Sequence, residues 1–264
     1  MARVRRREAT TEVIRIAPDW AGAETHAFCA GLEALRRAAP DGAVIHRGRN
    51  LIFRHRVGDG DVAVKYFPVR GARGTVYRCR ASKAARSFDN ATRLMTLGIG
   101  TPRPLAAVEV RRARVLLASY YCSEFVPAFR EARTLKVADA PDRELLLELL
   151  GAFVGRLHES GVLHRDLTAG NILMIPDSNQ PGGVSLSVVD VNRMRFGCVG
   201  PRAGIANLAQ LRLQDSGALL AGYCRARGLS VPRVESRYRV RLRLRAVTQA
   251  LKERTRPWRR RLGL

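Results

Sequence analysis

The sequence predicts an α+β fold in two lobes. An antiparallel, β-rich N-terminal lobe with one main helix (1–126) precedes a compact, mostly helical C-terminal lobe (127–264). Three observations predict it. Residues 43 to 67 alternate between apolar and polar positions and are broken only by turn sequences. One helix-period segment follows, between Ser82 and Leu97. Beyond Val126-Pro127 the pattern changes to long apolar helical segments with short strand-like pieces between them.

The elements follow in order. Ala43 to Arg47, Leu51 to Val57 and Val62 to Phe67 read as three consecutive antiparallel strands. Gly48-Arg49-Asn50 and Gly58-Asp59-Gly60 separate them, and both suit tight turns. In the following helix Ala84, Phe88, Ala91 and Met95 fall on one face. Gly98 and Gly100-Thr101-Pro102 end it. Ala106 to Glu109 and Val115 to Tyr121 are two further strands. Asp142 to Glu159 is an apolar helix with an acidic start, closed by Ser160-Gly161. Ile172 to Ile175 and Leu186 to Val189 are short strands across a Pro/Gly/Asn turn. In the last segment Val240, Leu244, Val247 and Leu251 keep helical spacing, which outweighs the Arg/apolar alternation from Arg237 to Arg245.

Composition limits the function. The chain of 264 residues carries 47 Lys+Arg against 23 Asp+Glu, a net charge of +24, yet 46% of it is hydrophobic. A disordered polycation is excluded, and an acidic partner is implied: nucleic acid, anionic lipid or a phosphorylated ligand. No apolar run reaches the length of a membrane span, and the basic start (Arg3, Arg5, Arg6, Arg7) leads into no signal-peptide core. Five scattered cysteines without a C-x-x-C pair point to reduced thiols in a cytosol, and away from a zinc site. No RNA-reading motif or DNA-binding module is present, so base-specific binding is unsupported.

The sharpest chemical signal is His164-Arg165-Asp166-Leu167-Thr168-Ala169-Gly170-Asn171. Phosphoryl transfer needs a carboxylate near the attacking hydroxyl and an oxygen ligand for Mg²⁺. An Asp and an Asn five positions apart on a tight loop can supply both. Asp190 follows the apolar strand Ser187-Val188-Val189 and suits a second metal ligand. Upstream, Val62-Ala63-Val64-Lys65 places a lysine on an apolar strand. Only four of the 47 basic residues are lysines, and a compact ammonium suits nucleotide phosphates.

In order and spacing these residues resemble the protein-kinase signature set: V-A-V-K, H-R-D-L-x-x-x-N, then a strand and Asp. A closer resemblance is to the bacterial lipopolysaccharide kinase family, the Kdo/WaaP (InaA-like) group. It is carried by Arg47 to Asn50, Val62 to Pro68, Ser82 to Ala91, Leu97 to Pro104, His164 to Leu173 and Val188 to Met194. The run Asp190-Val191-Asn192-Arg193-Met194-Arg195-Phe196 is its most specific part. The resemblance implies a kinase-like fold and the phosphorylation, with ATP and Mg²⁺, of an inner-core sugar of lipopolysaccharide, Kdo or heptose, on the cytoplasmic face of the membrane. It implies Asp166 and Lys65 as catalytic, Asn171 and Asp190 as metal ligands, and His164 as a brace for the loop. Cofactor-binding candidates are Gly48, Arg49, Asn50, Lys65, Asp89 and Glu124.

Departures from the general kinase pattern bear on the substrate. The nucleotide loop has one glycine, Gly48, instead of G-x-G-x-x-G. Asp190-Val191-Asn192 replaces D-F-G, and Thr168 stands where Ser/Thr protein kinases usually have Lys. No A-P-E follows. These points disfavour a protein substrate, leaving a small-molecule or protein kinase of the same fold, or a non-catalytic basic binding protein, as the alternatives. Asp89 is the sole acidic residue between Asp61 and Glu109 and so the sole local candidate to pair with Lys65. His158 is expected to pack at a helix end. Two basic stretches are candidates to meet anionic headgroups: Arg70, Arg73, Arg78, Arg80, Lys83 and Arg86, and the C-terminal segment with Arg237, Arg239, Arg241, Arg243, Arg245, Arg254, Arg256, Trp258, Arg259, Arg260 and Arg261.

Overall fold

The computed structural model describes residues 10–69, 71, 73–137, 142–213 and 217–261, without the side chains of Arg73 and of 249–261. The chain divides into two compact units. One runs to Pro127 and takes in Val188–Arg193; the other holds Ala128–Ser187 and Met194 onward.

The first unit is a six-stranded antiparallel sheet with helices on it. In chain order it contains β1 (Thr11–Ile16), α1 (Ala23–Ala38), β2 (Val44–Arg47), β3 (Leu51–Val57), β4 (Gly60–Pro68), the single-turn α2 (Arg73–Val76), α3 (Lys83–Thr96), β5 (Pro104–Arg112) and β6 (Val115–Glu124). The strand order is β1-β5-β6-β4-β3-β2. Hairpin turns join β2 to β3 to β4, as the turn sequences require.

Successive side chains of a strand point to opposite faces. Val62 and Val64 of β4 therefore enter one core, with Phe28, Cys29 and Leu32 of α1, Phe53 of β3 and Tyr120 and Cys122 of β6. Lys65 and Phe67 take the other face. α3 packs against β4, β5 and β6. Its N-cap is Ser82, whose Oγ accepts from Ala85 N–H at 3.0 Å, as Ser does at this position.

Two points correct the sequence reading. This unit carries α1 as well as α3, and β1 extends the sheet. The buried face of α3 holds Ala84, Ala91 and Leu94, and Met95 is exposed.

The second unit contains β7 (Arg130–Glu131), α4 (Arg143–Glu159), β8 (Val162–His164), β9 (Ile172–Pro176), β10 (Val184–Val188), β11 (Met194–Phe196), α5 (Pro201–Leu208), α6 (Gly217–Arg227) and α7 (Val231–Arg261). β10-β9-β7 form one small sheet and β11-β8 another. α4 and α6 touch along their backbones at two glycines. A Cβ on Gly151 would strike the Leu219 carbonyl, and one on Gly222 the Glu148 carbonyl. Residues 237–245 are helical, within α7.

All five cysteines are free. No helix among the described residues is long and apolar enough to cross a membrane. Of the expected basic contacts, Arg70 lies outside the described residues, as do the side chains of Arg73, Arg254, Arg256, Trp258, Arg259, Arg260 and Arg261; the basic start Arg3, Arg5, Arg6 and Arg7 lies outside them too.

Candidate active site

The sequence-predicted residues form two groups, one in each unit. In the first, β4 presents Lys65 from the face that α3 covers. Its Nζ donates to Asp190 Oδ1 at 2.6 Å across 125 positions of sequence, with the side chains 17% and 24% exposed. Asn192 Nδ2 donates to the same oxygen at 2.8 Å.

The segment bearing Asp190 is tied to this unit by its backbone. Val188 N–H donates to Gly100 O at 2.8 Å, Thr101 Oγ1 donates to Val188 O at 2.9 Å, and Asn90 of α3 donates to Val191 O at 2.7 Å. Asp190 itself has φ 58°, the left-handed region that non-glycine residues seldom occupy. Such strain persists where the surroundings over-determine it, and it clusters at functional sites.

Asp89 is not the partner of Lys65. It is exposed and accepts from Arg15 Nη1 at 3.1 Å. The reason is rotational: Asp89 lies on the solvent side of α3, whereas Asn90, one position on, faces the Asp190 segment. No residue of α3 supplies a carboxylate to Lys65, and Asp190 takes that place.

Lys83 opens α3, and the sequence placed it only in a basic cluster. Lys65 and Lys83 both lie over the Phe67 ring, at 5.5 and 5.6 Å from its centroid. Burial pulls the Lys83 pKa down, and the nearby charges of Arg49 and Arg86 lower it further. Gly48, Arg49 and Asn50 form the turn between β2 and β3, with Gly48 N–H donating to Asn50 O at 3.0 Å. Asn50 Oδ1 is buried without a hydrogen-bond partner. Glu124 ends β6, its carboxylate 3.5 Å from Arg103 Nε.

The second group is a loop between β8 and β9. Asn171 Nδ2 donates to Asp166 O at 2.8 Å, and Thr168 N–H donates to the same carbonyl at 2.8 Å. Asp166 N–H donates to His164 Nδ1 at 3.1 Å. His164 is fully buried, which matches a bracing role. Gly170 is pressed by the Arg133 guanidinium, whose Cζ would sit 3.0 Å from an added Cβ.

Behind the loop lies a set that the sequence did not reveal. Asn207 of α5 donates from Nδ2 to His164 O at 2.8 Å. Its Oδ1 is then the acceptor that faces His158 Nε2, at 3.1 Å. That fixes the proton of a neutral His158 on Nε2 and leaves Nδ1 to accept from Tyr223 O–H, at 3.0 Å. His158, Asn207 and Tyr223 are each at most 2% exposed. Burial holds His158 down to about 4; the Asn207 bond opposes the shift and the charge of Arg227 adds to it. A Cβ on Gly204 would strike the Tyr223 hydroxyl. His158 is thus a hydrogen-bonding centre and more than a packing residue.

The comparisons with known proteins bear on the family and the fold. The model of the lipopolysaccharide kinase (Kdo/WaaP) family matches residues 73–219. That stretch includes Asp166, Asn171 and Asp190; Lys65 lies ahead of it. No curated protein matches the sequence. A solved structure, "WaaP in complex with acyl carrier protein", is similar at a TM-score of 0.55 and 21% identity, over 92% of this chain and 97% of that one. At that identity the likeness shows the fold, and the fold is kinase-like.

Proposed function

The chain belongs to the lipopolysaccharide kinase (Kdo/WaaP) family, and from that premise we propose that it transfers the terminal phosphoryl group of ATP to a sugar hydroxyl, Kdo or heptose, of the lipopolysaccharide inner core. The observation that carries the reading is the 2.6 Å pair of Lys65 and Asp190. The fold brings together from distant sequence a strand lysine and a strand-end carboxylate, the two kinds of group that phosphoryl transfer uses to hold nucleotide phosphates and Mg²⁺.

Each residue then has a role. Lys65 binds the nucleotide phosphates. Asp166 accepts the proton of the acceptor hydroxyl as its oxygen bonds to phosphorus and the bond to the ADP oxygen breaks. His164, with Asn207 behind it, holds the loop that presents Asp166.

The donor set suits Mg²⁺. Asp190 and Asn171 offer a carboxylate and an amide oxygen, the hard ligands that Mg²⁺ takes. With Asn171 Nδ2 engaged by Asp166 O, its Oδ1 is the atom left to face a cation. Among the described residues no three His, Cys, Asp or Glu side chains form a cage. Nucleotide sites commonly use one or two protein ligands and complete the shell with phosphate and water. When bound, the ion would neutralise phosphate charge. The acceptor is carried on a lipid, so an anionic membrane surface is the expected place of meeting.

The test is transfer from labelled ATP to deacylated inner-core oligosaccharide, beside a mixture of protein acceptors. Label should enter the oligosaccharide, and Asp166→Ala should lower the rate by about 10²- to 10⁴-fold, the usual weight of a general base. Label on protein and never on sugar would overturn the acceptor assignment.

A further inference from the structure

α7 is anchored on one side and open on the other. Val234 and Tyr238 are buried, and the Tyr238 hydroxyl donates to Leu213 O at 3.1 Å. Further along, Arg245 Nη2 donates to Ala206 O at 3.4 Å. At about 100° per residue these three positions share one stripe.

Roughly opposite them stand Val240, Leu244 and Val247, which are 55%, 53% and 59% exposed. Their four-then-three spacing keeps them within about 60° of arc. Arg237, Arg241 and Arg243 are exposed beside them, and Arg239, also exposed, pairs with Glu235 at 2.6 Å. No acidic residue occurs from Ser236 to Lys252. This is an apolar ridge edged by guanidinium groups.

We propose that this face of α7 lies on an anionic lipid surface, with Val240, Leu244 and Val247 among the acyl-chain ends of the headgroups and the arginines on lipid phosphates. The charge argues for this occupant. A second copy of the chain would set arginines against arginines with no carboxylates between them, which disfavours helix pairing. A basic amphipathic helix with an apolar face is the form that lies in a membrane interface. The inference deepens the reading of a lipid-borne acceptor, since it would seat the enzyme where that acceptor is anchored, but its test does not depend on that reading.

The experiment is co-sedimentation of the full chain with phosphatidylglycerol/phosphatidylethanolamine vesicles and with phosphatidylcholine vesicles. The full chain should bind the first and scarcely the second. The variant Val240→Ser/Leu244→Ser/Val247→Ser should bind the anionic vesicles roughly ten-fold or more weakly. Its circular dichroism and its transfer rate to soluble oligosaccharide should be unchanged. A second variant, Arg237→Gln/Arg241→Gln/Arg243→Gln, should weaken binding and flatten its salt dependence. Equal binding by the full chain and the apolar variant would overturn the proposal. So would a change from dimer to monomer in the apolar variant, which would assign the ridge to a second copy. Vesicle binding without phosphoryl transfer would support this inference and sink the kinase assignment, so the two fail separately.

Discussion

Two carboxylates are proposed for one reaction, and the contacts described around them differ in kind. Asp190 is held by charge. A lysine and an amide meet one of its oxygens, its backbone sits in a left-handed conformation, and a quarter of its side chain reaches solvent. The backbone of Asp166 is held by neutral hydrogen bonds, backed by His164, Asn207, His158 and Tyr223, all at most 2% exposed. A mostly buried ion pair gains little net stability over the cost of desolvating its two charges, and an incoming phosphate or cation can take the place of either partner. A buried neutral network is costly to open, because each freed donor or acceptor loses a partner away from water. The first region is therefore suited to rearrange when phosphates arrive, and the second to stay fixed.

The largest expected effect lies in the first region. Lys65→Met should lower kcat/KM by about 10³-fold through lost stabilisation of phosphate charge. Unfolding free energy should fall by about 1–3 kcal/mol, because Asp190 loses its charged partner and keeps Asn192. Lys65→Arg should not restore the rate, since a planar guanidinium cannot occupy the place of a compact ammonium. Steady-state kinetics together with urea denaturation would check this. A large stability loss with modest loss of rate would break the comparison, making the pair a structural strut.

The second region should show the reverse balance. Asn207→Leu removes the buried amide that meets the His164 carbonyl and the His158 Nε2–H. Two such buried groups should together cost about 2–4 kcal/mol in urea denaturation. In the remaining folded enzyme kcat should fall while KM for ATP stays the same, because the network supports the Asp166 loop and nothing that holds nucleotide. A raised KM for ATP with unchanged kcat would remove the positioning role.

Legibility in the sequence follows the same divide. Local periodicity exposes β3, β4, α3 and α4, which bury side chains at recurring positions; β2 buries none and is legible through the turn that follows it. β1 and α1 escape it. β1 buries no residue, four of its six being exposed, and its pairing partner β5 lies some 95 positions away. α1 buries only Thr25, Phe28, Cys29 and Leu32 among alanines and charges. Lys65, Asp166, Asn171 and Asp190 stand out because their chemistry is tied to fixed spacings. Asp89 misleads because scarcity of acids along the chain says nothing about which side of a helix a carboxylate faces. Asn207 and Tyr223 are unremarkable helix residues in the sequence. Their importance arises only when α4, α5 and α6 converge behind the loop.

His158 offers the smallest effect and the sharpest test of neutrality. Its pKa falls from 6.5 to about 4 in the folded protein. Between those values the unfolded chain binds a proton that the native state refuses, so folding stability drops as pH falls. The loss begins near pH 6.5, reaches about 2 kcal/mol by pH 5, and levels off at about 3.4 kcal/mol well below pH 4. His158→Gln keeps a donor for Asn207 Oδ1 but cannot take up a proton. Urea denaturation of both proteins from pH 7 to pH 5 should show a stability loss smaller in the variant by about 2 kcal/mol. Carboxylates that titrate near pH 5 contribute to both curves and cancel in the difference. Equal slopes would mean that His158 accepts its proton in the native state. The network behind Asp166 would then tolerate charge, and the contrast with Asp190 would disappear.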